Sequence, residues 1–368
     1  MKKKMSAVIV MVVLLLSLSG CGAEGGRVLN VYNWGEYISD GTDGSLDVIA
    51  EFEAWYEEQY GEPVTVNYAT FASNEDMYHK IASGAVSYDL LFPSDYMIAR
   101  MAEEDMLLPL NFENIPNYQY IDESFRNLYY DPQNLYSIPY AYGIVGVIYD
   151  ANVVSPEDIG GWDLMWNETY ADRILQYNNS RDAFGTAMYK LGIDVNTEDE
   201  TQWQQACEEL IHQRPLVKSY VMDEIYNLMQ SGEASIGSYY VGDYFIMQES
   251  QADTVDLQFY YPDPTNFFVD AMCIPKGAQN QDLAEIFMNY LLSEEIAVAN
   301  AEYIYCPVPH TQVVQNEAYR ENMGREVLDV LYPDLGNFSE LYNRYAYRNL
   351  PSAVLDQLNT LWETVKVS

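Results

Sequence analysis

The sequence is poor in positive charge. Only 18 lysines and arginines stand against 56 aspartates and glutamates, which gives a formal net charge of −38. Nucleic acid is excluded as a partner, because contacts to phosphate need basic side chains. A cationic partner is favoured, since a negative field raises the local concentration and association rate of positively charged solutes. Acidic surfaces also keep exported proteins soluble, so charge alone leaves both interpretations open.

Long apolar runs and cysteines are also scarce. No stretch after residue 20 reaches the roughly eighteen apolar residues that a membrane-spanning helix needs. Of four cysteines, Cys21 directly follows the apolar leader, and the three that remain exclude a dense disulfide framework. A single bridge between Cys273 and Cys306 stays open at this stage.

Signatures of common enzymes are absent. The chain has no phosphate-binding lysine loop, no G-x-G-x-x-G fingerprint and no C-x-x-C pair. Its three histidines are far apart, and none stands in an H-E-x-x-H motif. We therefore expect no metal centre, no cofactor and no catalytic residues.

The first twenty residues have the composition of an export signal. Three lysines precede an apolar stretch that runs to Leu18. The stretch ends in LSGC, which resembles the bacterial lipobox, whose cysteine carries diacylglycerol. We predict that residues 1–20 are removed, that Cys21 is lipidated, and that residues 21–27 form a linker to the outer face of the cell membrane or the periplasm. Cleavage near Ala23, as in an ordinary signal peptide, is the alternative.

The remaining chain is long enough for two lobes of ordinary domain size. The strand-like VLNVYNW precedes a helical stripe that stops near Gly61, and PVTVNYATF precedes a helix capped by Ser73 and the buried strand YDLLF. Further along, SIPYAYGIVGVIYD and the end of GEASIGSYY are strand-like, whereas WQQACEELIHQ and 283–291 are helical. This alternation predicts a parallel or mixed sheet with helices on its faces.

Aromatic residues are abundant, with 34 tyrosines, 12 phenylalanines and 6 tryptophans, and several stand beside carboxylates near predicted strand ends. These groups are Trp34, Glu36 and Tyr37; Ser94, Asp95 and Tyr96; Tyr240 and Asp243; and Phe268 and Asp270. Ligands of open α/β sheets bind outside the carboxyl ends of the strands, so the first three groups lie where a cleft is expected.

Such residues suit a flexible ammonium ligand. Carboxylates neutralise its charges, hydroxyls accept further N–H donors, and each well-placed aromatic face adds about 0.5–2 kcal/mol of cation–π attraction. Most tyrosines must nevertheless be ordinary half-buried strand residues. Trp34 and Tyr37 suit a core as well as a pocket, and exposure to solvent is the stronger interpretation for Glu36.

A series of segments, in this order and spacing, resembles the spermidine/putrescine-binding proteins that serve ABC transporters: YNWGEYI, ASNEDMYHKIASG, YDLLFPSDYMIARM, YSIPYAYG, RDAFGTAMYKLG, GEASIGSYYVGDY and FFVDAMCIPKGAQN. The resemblance implies an α/β, two-lobed periplasmic-binding-protein fold (type II-like). Each lobe would be a mixed sheet flanked by helices, with the ligand cleft between the lobes. The implied N-terminal lobe comprises 28–142 and 271–309, and the implied C-terminal lobe comprises 143–270 and 310–368.

The same resemblance implies ligand-binding roles for individual residues. They are Trp34, Tyr37, Ser94, Tyr96, Asp182, Tyr240, Asp243, Phe268 and Asp270. Asp182 would hold an amine, and Asp270 is the carboxylate expected to matter most. Tyr240 and Phe268 stand where the family usually has tryptophan, and both Phe268 and Asp243 match putrescine-type members.

Two positions depart from the family. Asn179 lies where spermidine-type members often carry aspartate, and Cys306 lies where related segments place a tyrosine. The loss of one carboxylate favours a diamine such as putrescine over a triamine. We therefore predict a monomeric receptor without enzymatic activity that captures a polyamine and delivers it to an ABC permease in the membrane. A sugar receptor and an exported glycosidase with two catalytic carboxylates are the alternatives.

Overall fold

A computed structural model of the protein describes residues 26–334 and 338–368. The export signal and the predicted lipidation site Cys21 lie outside these residues. The strands are β1 Arg27–Trp34, β2 Val64–Phe71, β3 Leu90–Leu91, β4 Ser137–Asp150, β5 Ile174–Tyr177, β6 Val217–Val221, β7 Ile236–Tyr240, β8 Leu257–Tyr260 and β9 Phe267–Cys273. The helices are α1 Val48–Tyr60, α2 Asn74–Ala82, α3 Asp95–Glu103, α4 Ser180–Leu191, α5 Glu200–Gln213, α6 Ile225–Gln230, α7 Val241–Glu249, α8 Gln281–Leu291, α9 Glu294–Ile304, α10 Thr311–Gln315, α11 Glu317–Leu331, α12 Phe338–Tyr345 and α13 Ser352–Val367. None of the helices in these two ranges combines the length and the apolar character needed to span a bilayer.

The strands form a mixed sheet in the order β2-β1-β3-β9-β4-β7-β5-β6, with β8 paired to β4. β1 is parallel to β2 and β3, and β5 is parallel to β6 and β7. β9 runs antiparallel to both β3 and β4. The prediction of a parallel or mixed sheet flanked by helices is therefore confirmed in its mixed form.

β4 connects the two halves of this sheet. Its first part, 137–144, pairs with β9, and its second part, 145–150, pairs with β7 and β8. Both β4 and β9 are almost wholly buried, as expected for strands covered on both faces. The predicted lobe boundaries after residues 142 and 270 fall within these two strands, and they remain a prediction.

Short-range signals account for the elements that lead into the cleft. Gly61 ends α1 by adopting the left-handed conformation, with φ of 72°. The Ser73 side chain caps α2 by accepting a hydrogen bond from the backbone N–H of Asp76. The YDLLF segment forms only the two-residue strand β3, and just before it the Asp89 carboxylate accepts the backbone N–H of Asn30 at 2.9 Å while the Asp89 N–H donates to the Asn30 carbonyl at 2.7 Å.

The segment after residue 310, which follows the last of the segments that carry the family resemblance, belongs to the folded body. α13 packs on α4 and α5, and its Trp362 ring meets the edge of Tyr220 at 5.5 Å. Cys207, Cys273 and Cys306 are buried free thiols, so the bridge left open by the sequence does not form.

Candidate functional site

A cavity lies where the two halves of the sheet meet, and all nine predicted ligand-binding residues line it. Its other lining residues are Gly35, Ala72, Asn74, Asp95, Met222, Asp223, Tyr239, Asn266, Cys306 and Tyr347. It offers about 70 Å³ to the centres of water-sized spheres. One water needs about 10–15 Å³ by this measure, so the cavity has room for more than one water-sized group.

The end of β1 forms one wall. Trp34 is the last residue of β1, and its ring packs on Phe71 at 4.4 Å between centroids. The chain then turns through Glu36, which has a positive φ of 49° and is exposed, as the sequence predicts. This turn brings Tyr37 back toward the cavity, where the Tyr140 hydroxyl donates to its carbonyl at 3.0 Å.

The loop after β3 supplies the next group. Ser94 precedes α3 and is held by Asn74 through two 3.0 Å hydrogen bonds, one to the Ser94 hydroxyl and one from its backbone N–H. The Tyr96 hydroxyl donates to Glu75 at 2.9 Å. The start of α2 therefore fixes both cavity residues of this loop.

β9 presents Phe268 and Asp270 on the same face, because successive side chains of a strand alternate. Gly143 lies opposite Phe268 in the ladder, and an ideal Cβ on it would be 2.5 Å from the ring. The glycine in the YAYG segment thus makes room for the aromatic wall. Asp270 is buried, and its Oδ2 accepts a 2.7 Å hydrogen bond from the Tyr37 hydroxyl.

Two helix starts in the second half of the chain supply the other predicted carboxylates. Asp182 is in the first turn of α4, which Asn179 caps by accepting the backbone N–H of Arg181 at 2.8 Å. Asp243 is in the first turn of α7 and accepts a hydrogen bond from the Tyr226 hydroxyl. An acidic side chain suits both positions because the N-terminus of a helix carries partial positive charge.

The Tyr240 side chain completes the aromatic wall. It is the last residue of β7, and its ring meets Phe268 edge to face at 5.3 Å. Offset and edge-to-face pairs are the favoured arrangement for aromatic rings, so the Tyr240 and Phe268 rings stabilise each other in this position.

The electrostatics of the cavity are one-sided. Five aspartates line it, and no lysine or arginine of the described residues does. Burial raises the pKa of Asp270 to about 6 and that of Asp243 to about 7. Burial, with the Glu75 charge adding to it, raises the pKa of Asp182 to about 7. Burial disfavours ionised carboxylates, and a cation would favour them.

Two buried polar atoms without a hydrogen-bond partner also suit a ligand site. Oδ1 of Asp270 and Nε1 of Trp34 are buried and have no hydrogen-bond partner among the described residues. Such groups are rare in folded proteins, and a bound ligand or water would satisfy them.

Asp95 also lines the cavity but has a structural role. Its carboxylate accepts the backbone N–H groups of Tyr96 at 2.6 Å and of Val269 at 3.1 Å, and the Tyr342 hydroxyl at 2.7 Å. It therefore ties α3, β9 and α12 together and has little capacity left for a ligand. Burial raises its pKa to about 7.

Sequence reasoning missed several lining residues. Asn74 stands inside a segment that carried the family resemblance, so it could have been found there, and Asp95 was grouped with Ser94 and Tyr96 without a role of its own. Asp223 follows β6, a strand that the sequence pattern did not reveal, and Tyr347 lies beyond the last segment that carried the resemblance. Neither Asp223 nor Tyr347 stands in a local sequence pattern that would mark it as a cavity residue.

The comparisons with known proteins agree with this geometry. The family described as bacterial extracellular solute-binding protein matches residues 48–325. A spermidine/putrescine-binding periplasmic protein of Salmonella typhimurium is 31% identical over 333 residues, which cover 89% of each chain. The putrescine-binding periplasmic protein PotF of Escherichia coli is 25% identical, over 86% of this chain and 88% of PotF. The crystal structure of the spermidine/putrescine ABC transporter substrate-binding protein PotD from Streptococcus pneumoniae has 30% identity and a TM-score of 0.70, and the match covers 93% of this chain and 99% of PotD.

The crossing strands and the acidic cavity between the two halves of the sheet define a two-lobed solute-binding protein, and the predicted fold class is confirmed. The chain belongs to the family of bacterial extracellular solute-binding proteins. Its predicted resemblance to the spermidine/putrescine-binding members is confirmed as well.

Proposed function

We propose that this protein is the polyamine receptor of an ABC transporter and that it binds putrescine or spermidine in the cavity. The observation that carries the proposal is the set of five lining aspartates with no lysine or arginine of the described residues among them. An ionised carboxylate is costly to bury without a partner, and a ligand with several ammonium groups supplies those partners. The names of the relatives point to the same ligand class.

The approximate energies of the individual interactions support the proposal. A charge pair at 4 Å is worth about 4 kcal/mol at an effective dielectric constant of 20, before desolvation is subtracted. Each aromatic face over an ammonium group adds about 0.5–2 kcal/mol. Two ammonium groups among these residues therefore reach the roughly 8 kcal/mol of micromolar binding without covalent chemistry.

Capture would work by a shift of population between open and closed forms. Trp34 and Tyr96 belong to the proposed N-terminal lobe, whereas Asp182 and Asp243 belong to the proposed C-terminal lobe, and Asp270 lies at the crossing. A polyamine that contacts both lobes has contacts in the closed form that the open form lacks, so binding favours closure. The closed receptor would then deliver the polyamine to the permease.

The location follows from the leader. We propose that Cys21 carries lipid and tethers a monomeric receptor outside the cytoplasmic membrane. Mass spectrometry of the N-terminal peptide of the exported protein should find an acyl-bearing group on Cys21. An unmodified Cys21 would contradict lipid anchoring and leave the binding proposal untouched.

Titration calorimetry of the exported chain tests the binding proposal. Diamines, triamines, basic amino acids and neutral sugars should be compared, and only the polyamines should bind tightly. Their affinity should fall as salt rises, because screening weakens charge pairs and barely affects neutral ligands. Salt-independent binding of a sugar, or turnover of a glycoside, would overturn the proposal in favour of a sugar receptor or an enzyme.

A further inference from the structure

Glu75 connects the two halves of the sheet at a point outside the ligand cavity. It is in the first turn of α2, which follows β2, and it does not line the cavity. Its Oε1 accepts a 2.9 Å hydrogen bond from the Tyr96 hydroxyl, and its Oε2 accepts a 3.0 Å hydrogen bond from Asn179 Nδ2. Tyr96 follows β3 in the same half of the sheet, whereas Asn179 follows β5 in the other half. One carboxylate therefore bonds to both halves.

Both donors to Glu75 are linked to the cavity. Tyr96 is buried and lines the cavity itself. Asn179 does not line it, but its Oδ1 accepts the backbone N–H groups of Arg181 at 2.8 Å and of Asp182 at 3.5 Å. Asn179 thereby caps the helix whose first turn carries Asp182. A displacement of Glu75 would therefore act on one cavity residue of each half, Tyr96 and Asp182.

Glu75 has no cationic partner in a salt bridge among the described residues. Burial raises the pKa of Asp182 most, the Glu75 charge raises it further, and the Arg181 charge lowers it. The Arg181 guanidinium is engaged elsewhere, since it donates to Asn196 Oδ1 at 2.9 Å and to a backbone carbonyl at 2.8 Å. The Asn179 amide is therefore the donor through which the second half of the sheet reaches Glu75.

The types of the two residues suit this contact. Asn179 stands where spermidine-type members often carry aspartate. An aspartate there would place a second carboxylate against Glu75, and like charges repel each other at that distance. The asparagine side chain donates to the carboxylate through its nitrogen, while its oxygen still caps α4. A glutamate at position 75 and an amide at position 179 therefore form a matched pair.

A second contact joins the two halves in the same way. Asn349 Nδ2 donates to Glu103 Oε2 at 2.6 Å, and Glu103 is the last residue of α3. The segment that carries Asn349 is attached to the second half, because the backbone N–H of Arg348 donates to Asn196 Oδ1 at 2.7 Å. Glu103 is exposed, whereas Glu75 is half-buried, so the contact of Glu75 is better shielded from water.

We propose that Glu75 is a positioning residue that bonds to Asn179 only when the two lobes have closed, and that this bond slows the release of the polyamine. This inference rests on the proposed polyamine function. The bond stabilises the closed form without touching the ligand. It should therefore slow opening and leave the first encounter with the ligand unchanged.

Rapid mixing of the exported chain with putrescine, followed by tryptophan fluorescence, provides the first test. Glu75→Ala should raise the dissociation rate constant by about tenfold and keep the association rate constant within about threefold. The matched control is Asp76→Ala, which removes an exposed carboxylate from the next residue of α2 and should keep both constants within about threefold. Unchanged release in Glu75→Ala, or equal effects of the two variants, would overturn the inference while the polyamine function stands. Absence of all polyamine binding by the unmodified protein would instead overturn the proposed function.

The other partner supplies an independent readout if Glu75→Ala folds poorly. Asn179→Ser keeps a cap for α4 and removes the amide donor, so it should raise the dissociation rate constant to a similar degree. The double variant should release putrescine at most about threefold faster than the faster single variant, because both changes remove the same bond. Effects that multiply in the double variant would contradict the pairing.

An exchange of the two groups tests the pairing without any ligand. Asn179→Asp should lower the urea midpoint of unfolding, because two carboxylates then face each other. Glu75→Gln in that background supplies an amide that donates to the new carboxylate, and its carbonyl still accepts the Tyr96 hydroxyl. It should therefore raise the midpoint by more than it does in the unmodified chain. An equal shift in both backgrounds would contradict the pairing, whatever the protein binds.

Discussion

The Tyr37 hydroxyl donates a 2.7 Å hydrogen bond to Oδ2 of Asp270, which lies 233 residues further along the chain. The other carboxylate oxygen, Oδ1, is buried without a partner among the described residues. A buried acceptor left in this way costs about 1–3 kcal/mol, so a ligand that donates to it gains the same amount. Tyr37 therefore orients Asp270, and Oδ1 remains available to a ligand in the cavity.

Asp270→Asn should weaken polyamine binding strongly. The change removes a charge from a buried site that a ligand ammonium group would pair with, and such truncations cost about 2–5 kcal/mol. We expect the dissociation constant for putrescine to rise by about thirtyfold or more in titration calorimetry.

The matched control for this variant is Glu36→Gln. It removes one negative charge from an exposed residue of the neighbouring loop, which does not line the cavity. The dissociation constant of this variant for putrescine should stay within about threefold of that of the unchanged protein, since solvent-exposed charges contribute little to an ion pair. Equal losses of putrescine affinity in the two variants would show that the overall negative charge, and not the Asp270 carboxylate in particular, controls binding.

The raised pKa values predict a pH dependence of stability. The carboxyl groups of Asp182 and Asp243 have an ordinary value of 3.8 and reach about 7 in the folded protein because of burial. Between these values the folded state holds more protons than the unfolded chain, so the free energy of unfolding should fall as pH rises from about 4 to about 7. Urea unfolding of the ligand-free protein across this range checks the sign.

A bound polyamine should reverse this trend. Ammonium groups favour ionised carboxylates, so binding below pH 7 should release protons and affinity should rise with pH up to about 7. Calorimetry in two buffers of different ionisation enthalpy measures the released protons. Heats that do not depend on the buffer at pH 6 would be the contrary result.

The hydrogen bond from Tyr226 to Asp243 should support the charged form of that carboxylate. Hydrogen bonds to charged groups are worth about 1.5–3 kcal/mol, so Tyr226→Phe should weaken putrescine binding by about tenfold or more. Tyr220→Phe is the matched control, because its buried hydroxyl has no partner among the described residues. If both variants bind equally well, Asp243 does not depend on Tyr226.

Asn179 links a helix cap to the boundary of the site. Its side chain accepts the backbone N–H of Arg181, while its amide donates to Glu75 at 3.0 Å. Asn179→Asp keeps the cap but replaces that donor with a negative charge beside Glu75, so the free energy of unfolding without ligand should fall by about 1–3 kcal/mol. Asn179→Ser, which also caps and adds no charge, should cost less, and a reversed order would refute the like-charge argument.

Much of the site was predictable because its signals are local. The end of the strand VLNVYNW places Trp34 at the edge of a sheet, and the alternation of β9 places Phe268 and Asp270 on one face. The family resemblance then marked Asp182, which has no special local pattern. All nine predicted residues line the cavity, and their role in ligand binding stays a prediction.

Tyr347 could not be found in this way. Nothing in its segment distinguishes it from the other tyrosines of the chain, and its place in the cavity lining depends on the space that Gly185 leaves across 162 residues of sequence. The hydrogen bonds that occupy Asp95 likewise come from α12 and β9, so its structural role was not apparent beside Ser94 and Tyr96.

The amino-acid sequence by itself determined the charge of the protein, the alternation of strands and helices, and the residue types that suit a cation. These properties depend on composition and on patterns that repeat over a few residues. Only the tertiary structure decided which aspartates retain a free oxygen and which tyrosines line the cavity. The physical reason is that β9 inserts between β3 and β4 and brings distant segments into contact, and close packing then fixes their side chains.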